Sequence, residues 1–160
     1  MAFLGTRTAR QVDVALLFVR LALGAVFIAH GGQKLFTYGL SGVAGSFGQM
    51  GIPMASVVGP LVAFVEFFGG IAVVIGLLTR LASLGLAATM LGAIAFVHLP
   101  AGFFLPRGYE FNLALLGLAL ALVSAGAGAF SLDALVSRRR GLDRHATDAA
   151  RREEQRIRVA

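Results

Sequence analysis

VALLFVRLALGAVFIAHGGQKLF, from Val14 to Phe36, is long and apolar enough to cross a bilayer and yet carries Arg20, His30 and Lys34. About 20 consecutive apolar residues suffice for a crossing. A charge at the bilayer centre costs roughly 2.5–3.5 kcal/mol on insertion scales, and it persists mainly where it faces a bundle interior with a partner. Basic residues precede the stretch, as in a secretory leader, but Arg20 breaks its core and no small-residue cleavage site followed by a polar chain appears. It is therefore expected to be a retained transmembrane helix.

The same pattern recurs downstream. Further helices are expected over Val57 to Leu78, Leu81 to Leu99 (stopped by Pro100) and Phe111 to Ala125, the last short for a crossing. Glu66 lies inside the second helix, His98 near the end of the third, and Glu110 and Asn112 at the start of the fourth. With 160 residues, 58% hydrophobic and 14% charged, and a mean hydropathy of +0.83, the chain is far poorer in charge than a soluble domain. The expected fold is all-α, a four-helix transmembrane bundle over residues 14–135, flanked by a polar lead (1–13) and an arginine-rich tail (136–160).

Cysteine is absent, which excludes disulfides, thiolate nucleophiles and cysteine-bound iron–sulfur clusters. The net charge of +6 is concentrated in the tail and no basic face marks the apolar body, so no nucleic-acid partner is expected. The tail suits anionic lipid headgroups, and its mixed-sign run from Thr147 to Arg158 reads as a solvated helix. Basic residues in short loops set orientation. Arg7, Arg10, Arg80, Arg138, Arg139, Arg140 and Arg144 fall on one side, which puts both termini in the cytoplasm. Tyr38, Phe103, Phe104, Tyr109 and Phe111 gather on the other side as an interfacial aromatic belt.

Between the first two crossings, Thr37 to Ser56 is uncharged and has glycine at 39, 42, 45, 48 and 51. Val43, Phe47 and Met50 recur at i, i+4 and i+7, so the segment is either a short amphipathic helix lying in the membrane interface or a flexible glycine loop.

Helical spacing places Arg20, Gly24, Phe27, Gly31 and Lys34 on one face of the first helix, with His30 on its shoulder. Gly59, Glu66 and Gly70 share a face of the second, and Ser83, Ala87 and His98 of the third. Glycine beside charge is what closely packed membrane helices need. Antiparallel alignment brings His30, Lys34, Glu66, His98, Glu110 and Asn112 towards one outward-opening cavity, with Arg20 closing its floor and Glu66 as the shared counter-ion.

Each group has a structural alternative. Arg20 and Glu66 would also serve as a packing lock, Lys34 would snorkel to the headgroups, and Glu110 and Asn112 would cap the fourth helix. His30 and His98, one on each of two helices, match the ligand pair of a b-type haem, an arrangement that two histidines also reach by chance. No metal-ligand spacing, phosphate loop or nucleophile elbow is present, and no catalytic residue is assigned.

RLALGAVFIAHGGQKLF (Arg20 to Phe36), GIP (Gly51 to Pro53), EFFGGIAVVIGLLTRLA (Glu66 to Ala82) and SLDAL (Ser131 to Leu135) together resemble the DoxX family. The resemblance covers roughly Val14 to Leu135. One departure precedes SLD: Gly126 to Phe130 reads GAGAF, with Ala129 where relatives often carry a basic residue.

The resemblance implies a four-helix inner-membrane protein carrying an oxidoreductase label. Some members are similar to a membrane subunit of thiosulfate:quinone oxidoreductase, and others are linked to detoxification of quinones or oxidants. The expected function is the membrane subunit of an oxidoreductase system handling a quinone or similar lipophilic molecule, with electrons from a soluble redox partner or a substrate. The alternative is a non-catalytic scaffold or small conduit that recruits a soluble partner. Membrane lipids are expected neighbours, and pairing of copies through glycine faces is open.

Overall fold

The computed structural model describes residues 8–139, and every regular element among them is helical. Helix α1 (Ala9–Gly32) is followed by a π-helical turn (Gln33–Tyr38) and by α2 (Gly39–Gln49). Next come α3 (Ala55–Ile75) and α4 (Thr79–Ala93), then a second π-helical turn (Ile94–His98), a 3₁₀ turn (Leu99–Ala101) and α5 (Glu110–Ala125). The chain is helical again over residues 132–139. Arg7, Arg140 and Arg144, expected on the cytoplasmic side, and the run from Thr147 to Arg158 lie outside the described residues.

Local chemistry accounts for most boundaries. At the start of α1, Thr8 and Gln11 form a reciprocal capping box that satisfies two end amides. The second crossing stops at Ile75 rather than Leu78 because Gly76 takes a left-handed backbone (φ +71), which ends helices readily at glycine. The next helix begins at Thr79, giving the very short turn that the sequence suggested.

Three helical segments (9–49, 55–75 and 79–101) are long and apolar enough to cross a membrane, and α5 is a shorter apolar helix. At 1.5 Å per residue the 16 residues of α5 span about 24 Å, short of the roughly 30 Å hydrocarbon core. The outer surface is studded with large apolar side chains such as Phe18, Leu61, Phe68, Leu81, Leu91 and Phe104, as contact with lipid requires.

Most of the 37–56 segment is helical. Of the apolar face expected at Val43, Phe47 and Met50, the first turns inward, Phe47 is half-buried and Met50, just past the end of α2, stays exposed. Val43 is buried, and a β-carbon at Gly59 of α3 would stand 3.2 Å from Ala44 of α2. Helix α2 therefore packs along α3.

Phe27, Leu23, Val73, Leu86, Met90, Leu115 and Leu122 form the centre of the core. Its tightest contact is between α1 and α3. A β-carbon at Gly70 would lie 2.9 Å from the Ile28 amide nitrogen, and one at Gly31 would collide with the backbone of Phe67. Glycine at these positions lets the two backbones meet directly, so the faces expected from 20/24/27/31 and 59/66/70 are the faces that pack.

Gly31→Ala is expected to destabilise the protein by about 1–3 kcal/mol, because backbone rather than a mobile side chain must yield. Gly92→Ala, with nothing within 4 Å of its added carbon, should be neutral or mildly stabilising. Thermal unfolding of both variants in detergent checks the contrast.

Candidate functional site

Two polar centres sit at different levels of the bundle. Arg20 marks one and Glu66 the other, so the expected pairing of these two residues is corrected by the structure.

The partner of Glu66 is Lys34, whose ammonium donates to the carboxylate Oε2. Glu66 lies on the inner face of α3 with its side chain 5% exposed, while Lys34, 21% exposed, sits in the first π-helical turn. Lys34 therefore has a counter-ion within the protein, which the snorkelling alternative did not give it.

Arg20 lies 14 residues before Lys34, about 21 Å along the helix. It is 1% exposed and surrounded by carbonyls. Its Nε donates to Val73 O at 2.8 Å and its Nη2 to Val74 O at 2.6 Å. Its Nη1 donates to Ala127 O at 2.9 Å and Phe130 O at 2.7 Å.

The physical reason is the end of α3. The last carbonyls of a helix have no intrahelical partner and carry partial negative charge, so a cation is favoured there. Val73 and Val74 belong to the last turn of α3, and Arg20 of α1 caps it from the side. The GAGAF turn supplies the other two carbonyls through its backbone. Arg20 is a lock, but one closed on peptide oxygens rather than on Glu66.

The same end of the bundle holds two aspartates that the sequence reading passed over. Asp133 accepts from the amides of Leu78 (2.8 Å) and Thr79 (3.0 Å), capping α4 from a distant segment. Partial burial pushes its carboxyl upward. The amides of Thr79 and Leu78 and the nearby Arg20 guanidinium outweigh that and hold it below the ordinary carboxylate range. Asp13 of α1 accepts from the Ala129 amide at 2.8 Å. The available signal was an aspartate directly flanking each apolar run, within SLD for Asp133.

The second centre is a cleft of about 600 Å³ on the other side of Glu66, bounded by α1, α2, α3, α4 and α5. His30, Lys34, Glu66, His98 and Asn112 line it among predominantly apolar side chains. Arg20 and Glu110 do not line it, so the expected floor and one expected wall are corrected. Glu110, in the first turn of α5, instead accepts from the Leu105 amide of the preceding loop at 2.7 Å. No side chain caps α5, so the capping alternative for Glu110 and Asn112 is corrected as well.

Asn112, 8% exposed, donates from Nδ2 to the Met90 sulfur at 3.5 Å. His98 ends the second π-helical turn, with its Nδ1 2.8 Å from Arg107 O. His30 is exposed at the rim. Sequence reasoning did not place in the cleft its closing residues: Phe47 of α2 and Met50 just after it, then Leu105 and Pro106 of the 102–109 loop. Edge-to-face packing of Phe103 on Phe104 and Tyr109 braces that loop. Among the described residues no group of three or more His, Asp or Glu side chains could hold a metal ion.

A family model described as DoxX matches residues 15–99. CatD of Bacillus subtilis, named "Putative oxidoreductase", is 32% identical over 72% of this chain and 84% of its own. An uncharacterized membrane protein of Mycobacterium tuberculosis is 36% identical over 76% of this chain and 80% of its own. The inner membrane protein YqjF of Escherichia coli is 34% identical over 79% of this chain and 95% of its own. No solved structure matches the chain.

Arg20→Met should lower unfolding stability by about 3 kcal/mol or more, since it strands buried carbonyls that a charged donor satisfied. Arg20→Lys, a single-point donor, should recover part of the loss. Equilibrium unfolding in detergent measures both. Asp133 contributes stability that is full above its unfolded value of about 3.9 and is lost as pH falls through its lower folded value. The Asp133→Asn protein should be less stable at neutral pH and lose less than the wild type on acidification, in melts taken from pH 7 to pH 3.

Proposed function

The chain belongs to the DoxX family, and from that premise we propose that it is the membrane subunit of an oxidoreductase system that holds a quinone or similar lipophilic redox molecule in the Glu66 cleft. It is a multi-pass bacterial inner-membrane protein, as its apolar helices and the names of its relatives support. We further propose that α5 completes a fourth crossing, that residues 14–135 form the working domain, and that both termini face the cytoplasm.

The observation that carries this reading is the cleft itself. Its volume lies in the range of small-molecule sites, about 300–1,000 Å³. Its walls are apolar, with one ion pair, two histidines and one amide set into them. Apolar walls suit the ring and tail of a lipid-soluble molecule, and the few polar groups fix its orientation. The Lys34 ammonium is a donor for a quinone carbonyl, and it already touches a carboxylate able to exchange a proton with it. Reduction of a quinone consumes two electrons and two protons. A soluble redox partner or a reducing substrate supplies the electrons, and the Lys34–Glu66 pair lies at one end of the proton route.

Purified protein in detergent should bind a short-chain quinone analogue saturably. Lys34→Met should weaken that binding tenfold or more, and a strain carrying Glu66→Gln should lose tolerance to oxidants. No saturable binding, together with unaltered tolerance in the Glu66→Gln and His30→Ala strains, would refute the reading.

A further inference from the structure

Both π-helical turns lead into the cleft, and each carries one of its polar groups: Lys34 in Gln33–Tyr38 and His98 in Ile94–His98. π-Helical residues are well under 1% of protein structure and concentrate at functional sites. The two groups differ in kind. An ammonium can only donate hydrogen bonds. The His98 ring has its Nδ1 2.8 Å from the backbone carbonyl of Arg107. A carbonyl can only accept, so Nδ1 carries the hydrogen and donates it. In the neutral imidazole the remaining nitrogen, Nε2, is then an acceptor, and the backbone of Arg107 sets that tautomer. His98 cannot serve a ligand carbonyl as a donor while that bond and the neutral ring persist. It meets a ligand hydroxyl instead.

We propose that His98 is a specificity-determining residue of the cleft that accepts a hydrogen bond from a phenolic hydroxyl, so that the site holds the hydroquinone form of its ligand in preference to the quinone. This rests on the reading of the cleft as a lipophilic redox site and adds which redox form fits it. A quinone presents two carbonyl oxygens, one matched to Lys34 and the other set against the lone pair of His98. A hydroquinone presents two hydroxyls, each able to accept from Lys34 or to donate to His98. An unmatched pair of acceptors in a largely apolar cleft is costly. Tighter binding of the reduced form also makes the bound quinone a better oxidant. A tenfold preference raises the two-electron potential by about 30 mV, in the direction that favours electron flow from a partner into the site.

The test is competitive binding to the purified full chain in detergent, under anaerobic conditions, with three probes: a decyl-substituted hydroquinone, its quinone and its dimethyl ether. The hydroquinone should bind at least tenfold more tightly than the other two. His98→Phe should abolish that difference, weakening hydroquinone binding and relieving the acceptor–acceptor opposition that penalises the quinone and the ether. His98→Gln, which restores an acceptor oxygen, should recover part of it. Nitrogen-15 shifts of the wild-type histidines report the tautomer without any substitution, and the hydrogen of His98 should reside on Nδ1. Saturable binding with equal affinity for all three probes, or a preference that survives in His98→Phe, overturns this proposal while leaving the cleft's function standing. Absence of binding by any probe overturns both.

Discussion

Where water is excluded, every charge and every helix end has to find its partner inside the protein, and this single constraint organises the structure. Three solutions are visible. Arg20 of α1 donates to carbonyls at the end of α3 and in the turn after α5, away from water. Asp133 satisfies the first amides at the start of α4. Lys34 and Glu66 satisfy each other. The first two hold one end of the bundle together, where each polar group meets backbone atoms. The third is ion to ion, and it faces a cavity large enough for a ligand. That difference is why we propose a functional role for the Lys34–Glu66 pair and a structural one for Arg20 and Asp133.

The glycine contact between α1 and α3 is what brings these groups to their levels. With Gly31 against Phe67 and Gly70 against Ile28, the register of the two helices is fixed by backbone shape. Glu66 then falls within reach of Lys34, and the Arg20 guanidinium falls beside Val73 and Val74, about two turns along α3 from Glu66. Phe47 of α2, Met50 just after it, and Leu105 and Pro106 of the 102–109 loop complete the lining of the cleft that Lys34 and Glu66 face.

Much of this is legible in the amino-acid sequence, and what is not has a physical cause. The spacing of Arg20, Gly24, Phe27 and Gly31 names the packed face of α1, and the four are buried. Glu66 is inward for the reason its cost in lipid suggests. The partner of Arg20 was illegible because it is peptide carbonyl, which every residue carries and no side chain advertises. For the same reason, Ala129 in the GAGAF turn looked like a lost charge, whereas the turn works through the backbone of Ala127, Ala129 and Phe130. The glycine-rich 37–56 segment hid a helix because glycine weakens local propensity, and packing of Val43 against α3 outweighs it. The π-helical turns have no sequence signature, yet they carry Lys34 and His98.

The central claim is that Glu66 is energetically tied to Lys34 in the cleft and independent of Arg20. A double-mutant cycle on unfolding free energy in detergent tests it directly, with Lys34→Met, Glu66→Leu and Arg20→Met combined pairwise. The account predicts a coupling of about 1–3 kcal/mol between positions 34 and 66, and additivity within about 0.5 kcal/mol between positions 20 and 66. Additive effects at 34 and 66, or strong coupling between 20 and 66, would contradict it.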